Sequence, residues 1–559
     1  MKIAIVGGVA GGASTAARLR RMDEHAEISL FEKGAHISYA NCGLPYYVGD
    51  VITDRNRLLV QTAEAFRQRF NVAVNTESEV TAIHRDKKTI SVRNLRNQHD
   101  YEVRYDKLVL ATGAAPIRLP VPGIDSAGIF TLRNVQDTDK IKNYINEHAP
   151  KKAVVIGAGF IGLEMAENLH HLGLAVTIIE TGKQVLPPVD YAFAAFVQQD
   201  LRAKGVQLML NSTVSGFEVN DKHLRVQLQD KGAIEADIVV SSVGVRPDTK
   251  LAADAGLALG KRGGILVNEY LQTSDPSIYA LGDSIEFPHP LTQSVQPTYL
   301  AGPANKQGRI CADNIVFGNK RTYQGSINTA IVKIFELTVA TAGLSRKNLE
   351  AAGMAYESAI VHAGSHAGYY PGASLMMIQI TFSPKDGLLY GAQIVGKEGV
   401  DKRIDVLSAV ISRGGSIYDL AAFEQAYAPP YSSAKDPVNM IGFVAENILQ
   451  QKVFFADWEK LNEPASFDII VDVRSAQEYA VGHVACAIHI PLDDLRSRLS
   501  ELPKNKTIFL YCQQGLRGYL AQRILLQNGF NKVANLAGGY RLYEICEAEK
   551  KLLPVVEQE

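Results

Sequence analysis

The chain has 559 residues, of which 46% are apolar and 21% charged, so a mainly disordered protein is excluded. Lys plus Arg number 58 and Asp plus Glu 59, which leaves a net charge of -1 and no basic surplus for general nucleic-acid binding. No apolar run approaches the roughly 18 residues that span a bilayer, and the N-terminal MKIAIVGG lacks the features of a signal peptide. We expect a soluble, cytoplasmic protein of about four domains that binds neither nucleic acid nor membrane.

The most complete motif is a βαβ unit in the middle of the chain. The strand 153–156 leads into GAGFIG, in which the glycines allow a tight turn, close approach of a pyrophosphate, and packing of helix on strand. An acid ends the next strand, where it would accept hydrogen bonds from an adenosine ribose and repel a 2′-phosphate. The unit predicts a site that favours NADH, and Lys183 nearby leaves NADPH open. Its predicted cofactor contacts are Gly157, Gly159, Gly162 and Glu180.

A similar but imperfect βαβ unit opens the chain. Val9 replaces the middle glycine of the turn, while an acid again ends the following strand. Two later segments, 108–116 (LVLATGAAP) and 277–284 (SIYALGDS), are strands that run into glycine turns and support a second dinucleotide. The predicted contacts are Gly7, Gly8, Gly11, Gly12, Glu32, Thr112, Gly113, Gly282 and Asp283.

The remaining segments divide the chain further. Short alternating runs at 71–75, 89–93 and 206–210 are expected to form β-meander insertions. A polar run around 320–326 marks a boundary, and 327–446 contains its own strands and helices. A last boundary is predicted near 450–466, where the apolar pattern breaks at Asn462-Glu463-Pro464, and a compact α/β domain follows.

The two glycine motifs, the ATG segment and the ALGD segment resemble the pyridine nucleotide–disulfide oxidoreductases over about residues 1–446. The resemblance implies an α/β fold with two Rossmann-like dinucleotide-binding domains, for FAD and then NADH, followed by an α+β dimerisation domain and hence a homodimer. It implies that Asp283 contacts the ribityl and phosphate portion of the flavin, with Lys33 and Val80 as further FAD contacts. The expected FAD-binding domain is formed by two segments, 1–115 and 246–322. The other expected domains are 116–245 (NAD(P)H-binding), 323–450 (dimerisation) and 455–559 (C-terminal α/β).

A single cysteine in the segment SYANCGLPYY distinguishes subgroups of this family. Dithiol members carry CxxxxC, whereas Cys42 stands alone and must hold its oxidised state as a sulfenic acid or as a mixed disulfide with a small thiol. The segment resembles coenzyme A–disulfide reductases, which use the mixed disulfide. NADH oxidases and peroxidases share the single cysteine and are the rival class.

Two further features favour coenzyme A. Ser14, Arg18 and Arg21 share one face of the first helix, which is either a solvated basic face or an anion site. The loop AYAPPYSSAKDP resembles the same reductases, and the resemblance implies that Tyr427 reaches the Cys42 region of the partner subunit. There it would act with a second tyrosine, for which Tyr369 is preferred to Tyr370. The coenzyme A contacts implied by the resemblance are Ser14, Arg18, Arg21, Ser38, Asn41 and Lys435.

The last domain resembles the rhodanese, or sulfurtransferase, fold. Its Cys512 opens the loop CQQGLR before a helix, and helix amides together with Arg517 lower a thiol pKa and stabilise a persulfide anion. The otherwise neutral loop favours a polysulfide or an organic persulfide as sulfur donor over thiosulfate. The polar residues that carry the resemblance, expected to form a structural ion-pair network, are Asp472, Arg474, Glu478, Gly482 and His483.

Taken together, the chain resembles coenzyme A–disulfide reductases fused to a rhodanese domain, which are also described as NADH-dependent persulfide reductases. The implied reaction takes sulfane sulfur at Cys512, carries it on coenzyme A, and reduces it at Cys42 with electrons from NADH through FAD. Three alternatives remain: an NADH oxidase or peroxidase with a sulfenate at Cys42, plain coenzyme A–disulfide reduction, and a flavin-bearing redox sensor. The other cysteines, expected to be structural, are Cys311, Cys486 and Cys546.

Overall fold

The computed structural model describes residues 1–220, 223–229, 231–462 and 468–553. The chain divides into a first unit, Met1–Thr181 with Ser212–Asn328, and a second unit, Gly182–Asn211 with Thr329–Glu559. Of the predicted boundary near 450–466, Glu463 and Pro464 lie outside the described residues. No helix in the described ranges has the length and apolar character needed to cross a membrane.

The strands of the described residues are two to eight residues long. In chain order they are β1 (Lys2–Val6), β2 (Glu27–Glu32), β3 (Ala73–Thr76), β4 (Ser78–His84), β5 (Thr89–Asn94), β6 (His99–Arg104), β7 (Lys107–Leu110), β8 (Ala114–Pro116), β9 (Ile129–Phe130), β10 (Lys152–Ile156), β11 (Ala175–Ile179), β12 (Gln207–Met209), β13 (Val214–Asn220), β14 (His223–Leu228), β15 (Gly232–Ala236), β16 (Ile238–Ser241), β17 (Val245–Pro247), β18 (Ile265–Leu266), β19 (Ile278–Ala280), β20 (Ile285–Pro288), β21 (Val295–Pro297), β22 (Ala330–Ile334), β23 (Leu337–Gly343), β24 (Glu357–Gly364), β25 (Leu375–Phe382), β26 (Leu389–Gly396), β27 (Phe455–Ala456), β28 (Ile469–Asp472), β29 (Ile488–His489), β30 (Ile508–Tyr511) and β31 (Val533–Leu536).

The helices of the described residues cover or connect these strands. They are α1 (Ala10–Met22), α2 (Leu44–Val48), α3 (Ala63–Phe70), α4 (Val135–His148), α5 (Phe160–His171), α6 (Tyr191–Ala203), α7 (Lys250–Asp254), α8 (Ala301–Phe317), α9 (Arg346–Ala351), α10 (Val400–Ser412), α11 (Ile417–Ala422), α12 (Pro437–Leu449), α13 (Ala476–Val481), α14 (Leu516–Gln527) and α15 (Gly539–Lys551).

The first unit contains a five-stranded parallel sheet with the order β19-β7-β1-β2-β3. The apolar strand β1 lies at its centre, and Ile3, Ala4 and Ile5 are almost fully buried. This burial is typical of parallel sheets, whose two faces are both covered. The carboxyl ends of β1, β2 and β7 therefore meet at one edge, which is where such sheets bind ligands.

The three short alternating runs that the sequence predicts as meander strands differ in the sheets they join. The run 89–93 lies in β5, the middle strand of the antiparallel sheet β4-β5-β6, so the predicted meander is confirmed there. The run 71–75 overlaps β3, which pairs in parallel with β2, so the meander prediction is wrong for this segment. A short parallel edge strand alternates in the same way as a meander strand, and alternation alone does not distinguish them. The run 206–210 contains the three-residue strand β12.

A second parallel sheet of the first unit has the order β11-β10-β16-β9. The three antiparallel strands β13-β14-β15 form a separate small sheet. Within β10, the residues 153–156 are buried, and α5 begins four residues after the strand ends. This is the strand–turn–helix arrangement that the central glycine motif predicts.

The second unit contains two layers of different type. An antiparallel sheet, β22-β23-β26-β25-β24, packs against α10 and α12. The buried ion pair between Arg403 of α10 and Asp436, the residue that caps α12, measures 2.8 Å and joins these two helices. A parallel sheet with the order β27-β31-β30-β28-β29 carries α13, α14 and α15. The expected fold class, α/β with an α+β domain and a C-terminal α/β domain, is confirmed.

Candidate functional site

The turn after β1 is closed because its glycines leave no room for side chains. Gly7 has φ +99, and a Cβ there would overlap the backbone of Ala111, while a Cβ at Gly12 would overlap the carbonyl of Gly7. Val9 has a negative φ of -96, so a valine occupies the middle position without backbone strain. Helix α1 thus begins directly at the carboxyl end of β1, which is the arrangement that receives a pyrophosphate.

Glu32 faces this turn from the end of β2. Its carboxylate accepts hydrogen bonds from the amides of Gly8 (2.9 Å) and Gly34 (2.8 Å). An acid in this position is suited to an adenosine ribose. The adjacent Lys33 forms an ion pair with Asp248 at 3.2 Å.

Asp283 lies in a short 3₁₀ helix directly after β19. Its carboxylate contacts the guanidinium of Arg133 at 3.3 Å, and burial raises the pKa of Asp283 while Arg133 opposes that rise. Gly113, with φ +73, passes close to the same guanidinium. No sequence motif indicated Arg133, because the arginine follows β9 in a segment without one. Asp283, Arg133 and Gly113 therefore lie together at the predicted flavin site.

The other predicted FAD contacts lie in the same unit. The Thr112 hydroxyl donates to the backbone carbonyl of Asp248 at 2.6 Å, and the Gly282 amide donates to Gln307 at 2.7 Å. A Cβ at Gly11 would overlap the side chain of Leu281, so this glycine allows α1 to pack closely. Val80 is a buried residue of β4.

The second glycine turn packs tightly against backbone at Gly157 and Gly162 and has free space at Gly159. Gly157 has φ +96, and Cβ atoms at Gly157 and Gly162 would overlap neighbouring backbone, whereas a Cβ at Gly159 would meet nothing within 4 Å. Glu180 accepts a hydrogen bond from the amide of Ala158 at 2.8 Å. The open side and the oriented acid together fit the pyrophosphate and ribose of a dinucleotide.

Cys42 lies in the 3₁₀ helix Asn41–Gly43, and its side chain is exposed. Desolvation by the surrounding protein raises the pKa of the thiol above its usual value. The carboxylates of Glu164 and Asp283 add to that rise, and Arg133 opposes it. Cys42 thus lies within electrostatic reach of the Asp283–Arg133 pair, and these chain groups on balance disfavour its thiolate.

The segment after Cys42 contacts the helix that follows the second glycine turn. The Tyr46 hydroxyl donates to a carboxylate oxygen of Glu164 at 3.1 Å. Desolvation is the main cause that raises the pKa of Glu164 to about 7. No sequence pattern indicated a role for either residue, although Glu164 follows the glycine motif by two positions.

The basic face of α1 is partly neutralised. Arg18 forms a 2.7 Å ion pair with Asp313, which also binds Arg321 at 2.7 Å. The Ser14 hydroxyl donates to Asn305, while Arg21 donates to the carbonyl of Ala17, one turn earlier. The charge of Arg18 is therefore balanced within the described structure.

The segment that carries Ser38 and Asn41 is anchored to the first glycine turn. Ser38 has φ +47, and its amide donates to the carbonyl of Gly8 at 2.8 Å. This hydrogen bond brings the segment 38–47, which carries Cys42 and is called the redox-cysteine segment below, beside the predicted FAD turn. Lys435, the remaining predicted coenzyme A contact, is exposed in the second unit.

Two tyrosines meet on the surface of the second unit. The hydroxyls of Tyr369 and Tyr427 are 2.9 Å apart, and the side chains are 76% and 47% exposed. Their hydrogen bond is the main cause that raises the pKa of Tyr369. Tyr370 instead packs its ring edge-on against His366, at 5.6 Å between centroids.

Cys512 directly follows β30, four residues before α14 begins, and is 2% exposed. The Gly515 amide donates to its sulfur at 3.1 Å. Arg517 binds Glu478 through two hydrogen bonds of 2.7 and 2.6 Å, which are the main cause that lowers the pKa of Glu478 to about 2. The same bonds, and to a lesser extent the Cys512 sulfur, raise the pKa of Arg517.

The expected polar network surrounds this loop. Arg474 and Asp472 form a buried 2.7 Å ion pair, and Arg474 also donates to the Gln513 side chain at 3.0 Å. Its guanidinium lies 4.0 Å from the ring centroid of Tyr540. The ion pair thus helps to hold the cysteine loop. The two remaining members pack nearby: Arg474 donates to the carbonyl of Gly482, and His483 stacks on Tyr479.

The three other cysteines are free thiols. Cys311 and Cys546 are buried, and burial raises the pKa of both. Cys486 is exposed and has φ +64, a conformation that favours glycine.

Comparison with known proteins places these features in a family. The model of the pyridine nucleotide-disulphide oxidoreductases matches residues 1–303, the model of their dimerisation domain matches 329–437, and the rhodanese-like domain model matches 457–546. A coenzyme A disulfide reductase of Staphylococcus haemolyticus (strain JCSC1435) is 37% identical over 447 residues, which are 80% of this chain and 100% of the relative.

Two solved structures are similar over nearly the whole chain. Reduced Bacillus anthracis CoADR-RHD is 47% identical, with a TM-score of 0.95 and 98% of each chain covered. A NAD-dependent persulfide reductase from A. fulgidus is 39% identical, with a TM-score of 0.91, 97% of this chain and 100% of that chain covered. The water-forming NADH oxidase from Lactobacillus brevis is 28% identical, with a TM-score of 0.77, 81% of this chain and 99% of that chain covered.

These features together define a flavin-dependent pyridine nucleotide oxidoreductase. They are two glycine turns, each with an acid at the end of the following strand, a single cysteine beside the first turn, and a second cysteine in a loop before a helix. The chain belongs to the pyridine nucleotide-disulphide oxidoreductases and, among them, to the coenzyme A disulfide reductases, with a rhodanese-like domain at its C-terminal end. The expected enzyme class is confirmed, as are the expected cofactors, FAD and a reduced pyridine nucleotide.

Proposed function

We propose that this protein is a homodimeric, NADH-dependent reductase of coenzyme A persulfide, polysulfide and coenzyme A disulfide. The observation that carries the proposal is the presence of two differently built cysteine sites in one chain. Cys42 stands beside the Asp283–Arg133 pair, and Cys512 accepts an amide hydrogen bond in a helix-terminal loop. Similarity to a coenzyme A disulfide reductase and to a NAD-dependent persulfide reductase supports both reactions.

The two glycine turns divide the cofactors between them. The turn after β1 with Glu32 and Asp283 would hold FAD, and the turn after β10 with Glu180 would hold NADH. Bound FAD supplies the two electrons of NADH to the disulfide bond formed at Cys42.

Cys42 performs the sulfur chemistry at the first site. Its thiolate attacks the coenzyme-bound sulfur of coenzyme A persulfide, which forms a Cys42–coenzyme A disulfide and expels hydrosulfide. With coenzyme A disulfide the same attack expels one coenzyme A thiolate. Two electrons then break the new disulfide, so that Cys42 returns as a thiolate and coenzyme A leaves as the thiol after it gains a proton.

The paired tyrosines can donate a hydrogen bond to the departing thiolate. Because the hydroxyls of Tyr369 and Tyr427 bond to each other, one of the two O–H groups remains available as a donor. Both side chains are exposed, and both lie in the region that matches the dimerisation domain. We therefore assign them to the Cys42 site of the partner subunit.

Cys512 delivers sulfur from longer chains. Its thiolate attacks a terminal sulfur of a polysulfide, which leaves Cys512 as a persulfide and releases a polysulfide one sulfur shorter. Coenzyme A thiolate then takes the outer sulfur, which regenerates Cys512 and forms coenzyme A persulfide. The Gly515 amide and the Arg517 guanidinium stabilise the anionic persulfide in the interval.

The coenzyme itself would bind along the redox-cysteine segment and α1. Polar groups and the exposed cations of Arg21 and Lys435 suit its phosphates and its pantetheine amides, while Arg18 is held by Asp313. The residues assigned to it are Ser14, Arg18, Arg21, Ser38, Asn41 and Lys435.

The test compares two serine variants on three substrates. Cys42→Ser should keep FAD and still let NADH bleach the flavin, because neither step needs the thiol, while reduction of every substrate falls to background. Cys512→Ser should lose polysulfide reduction and spare coenzyme A persulfide and coenzyme A disulfide. Consumption of NADH is the measurement, and Cys486→Ser, which changes an exposed thiol outside both sites, is the control.

Other outcomes would contradict the assignment. Near-normal persulfide turnover by Cys42→Ser would remove Cys42 from the mechanism. Equal losses of Cys512→Ser on all three substrates would give Cys512 a structural role, and no loss on any would make the rhodanese-like domain a passenger. Oxygen uptake under NADH that exceeds sulfur reduction would favour the oxidase reaction instead.

A further inference from the structure

The helix that follows the second glycine turn packs against the segment that follows Cys42. At Gly49, directly after α2, a Cβ would overlap the side chain of Asn168 in α5. One turn earlier on α5, Glu164 accepts the hydrogen bond of Tyr46 at 3.1 Å. The close approach of the two helices therefore fixes a half-buried carboxyl group beside the redox-cysteine segment.

Titratable groups of α2 and α5 act on this carboxyl. Glu167, on the same helix, adds a like charge, and Tyr46 donates from α2. Desolvation raises the pKa of Glu164 to about 7, and the Tyr46 hydrogen bond opposes that rise. The Cys42 thiol experiences Glu164 and, from other elements, the Asp283 carboxylate and the Arg133 guanidinium.

Two negative charges in this site, one on Cys42 and one on Glu164, are electrostatically unfavourable. A thiolate at Cys42 and a carboxylate at Glu164 repel each other across a partly desolvated site, whereas one charge shared between them is tolerated. Arg133 offsets only part of this repulsion, because its guanidinium also contacts Asp283. The protonation of Glu164 and that of Cys42 are therefore linked.

We propose that Glu164, held by Tyr46, is the acid that balances charge for Cys42: it is protonated while Cys42 is a thiolate and ionises when Cys42 enters a mixed disulfide. Attack of the thiolate on a disulfide moves one negative charge to the leaving thiolate. Loss of charge at Cys42 then lets Glu164 release one proton, which converts the leaving thiolate to a thiol. The two electrons that later cleave the mixed disulfide restore the Cys42 thiolate, one solvent proton converts the departing thiolate to a thiol, and a second returns to Glu164.

The inference rests on the proposed role of Cys42, but its test does not. The FAD-loaded homodimer is reduced with a thiol, desalted and treated with iodoacetamide between pH 6 and pH 9, and labelling of the Cys42 peptide is followed by mass spectrometry. Only a thiolate reacts, so the rate follows the ionised fraction of Cys42. Peptide analysis separates Cys42 from the other exposed thiol, Cys486.

Glu164→Gln should change this profile in a pH-dependent way. At pH 6 the wild-type carboxyl is already neutral, so the two labelling rates should nearly coincide. At pH 8.5 the wild-type carboxylate suppresses the Cys42 thiolate, so the variant should react about three- to tenfold faster, since one pKa unit is a tenfold change in thiolate. Glu147→Gln removes an exposed carboxyl of the same unit and should follow the wild type throughout.

Tyr46→Phe should displace the profile in the same direction as Glu164→Gln, but only in part. Without the hydroxyl, Glu164 loses the hydrogen bond that lowers its pKa, stays neutral to higher pH, and delays the suppression of Cys42 labelling. A ratio of Glu164→Gln to wild type that is constant over the whole pH range would overturn the proposal, because it would show a purely structural role. A Tyr46→Phe profile that coincides with the wild type would also overturn it. The pH-dependent labelling ratio in chains that retain Cys42 would support the proposal, while retained turnover in Cys42→Ser would fault the proposed function alone.

Discussion

Two glutamates have the same position in the two βαβ units, and we assign each of them to a different cofactor. Glu32 accepts the amide of Gly8 at 2.9 Å, and Glu180 accepts the amide of Ala158 at 2.8 Å. In each case the donor directly follows the first glycine of the turn. The matching geometry makes the two residues a natural pair for comparison, because the same substitution should affect a different cofactor at each site.

Glu180→Ala should weaken NADH without affecting FAD. Loss of a charged hydrogen-bond acceptor for a ribose costs about 1.5–3 kcal/mol, so KM for NADH should rise about tenfold or more. NADPH should lose less, because the substitution also removes repulsion of its 2′-phosphate, and the preference for NADH over NADPH should shrink. Steady-state kinetics with both nucleotides measure this.

The matched control is Glu32→Ala, which should lower the FAD content of the purified protein and leave the ratio of NADH to NADPH turnover per bound flavin unchanged. An unchanged KM for NADH in Glu180→Ala would contradict the assignment of the second turn.

At this scale the sequence predicts residues that belong to motifs and misses those that tertiary packing brings together. Glu180 and Cys512 stand at fixed positions after a glycine motif or a strand, and Cys42 is located by the resemblance of the segment SYANCGLPYY. Arg133 and Tyr46 belong to no such pattern. They meet Asp283 and Glu164 only because separate elements pack together, which a single sequence does not record.

The cysteine loop of the rhodanese-like domain is held by elements on both sides. The amides of Tyr540 and Arg541, at the start of α15, donate to the carbonyls of Cys512 and Gln513 at 2.8 and 3.1 Å. Inside the loop, Gly515 has φ +123 and directs its amide to the cysteine sulfur. A residue with a side chain is strained at such a φ, although a Cβ at Gly515 would meet nothing within 4 Å.

Gly515→Ala should therefore impair sulfur transfer through the backbone and not through a clash. Strain of about 1–3 kcal/mol would turn the amide away from the sulfur. Polysulfide reduction should fall at least severalfold, while coenzyme A disulfide reduction stays near the wild-type rate. NADH consumption with each substrate measures the difference.

Gly414→Ala is the control for strain alone. Gly414 has φ +68, its Cβ would also meet nothing, and it lies after α10, away from the cysteine loop in the sequence. It should lower thermal stability without selective loss of polysulfide reduction. Equal polysulfide losses in the two variants would show that the Gly515 amide has no special role.

Elements differ in how well the sequence predicts them. The sequence predicts helices over 401–414 and 436–449 and near 518–528 and 540–550. Helices α10, α12, α14 and α15 begin and end within two residues of these bounds. The short α13 was missed because six residues carry too little periodicity, although its capping box, Ser475 with Glu478, was present in the sequence. The meander prediction is wrong for the parallel edge strand β3. The packing of the sheet determines which strand pairs with β3, and the residue pattern of β3 does not record that partner.

For the whole molecule, the predicted sites lie on separate units. Cys42 belongs to the first unit, and the Tyr369–Tyr427 pair belongs to the second unit, where both side chains are exposed. The residues 329–437, which contain both tyrosines, match a dimerisation domain. A homodimer with shared sites would place the tyrosines of one subunit at the cysteine of the other.

Mixed dimers test this sharing directly. Cys42→Ser subunits lack the thiol, and Tyr427→Phe subunits lack the proposed donor, so each homodimer should be close to inactive. A heterodimer has one site that lacks both groups and one site that has both. After unfolding and refolding of a one-to-one mixture, half of the dimers are mixed and half of their sites are complete, so about a quarter of the wild-type activity should return if the interface is two-fold symmetric.

The controls decide what the recovery means. Tyr418→Phe, at another exposed tyrosine of the second unit, should be active by itself. Two tags, one on each variant, allow the heterodimer to be purified, and its turnover of coenzyme A disulfide per bound FAD should then approach half that of the wild type. If both homodimers are inactive and the purified heterodimer is inactive as well, Tyr427 serves the cysteine of its own subunit or none, because a shared site would have been restored.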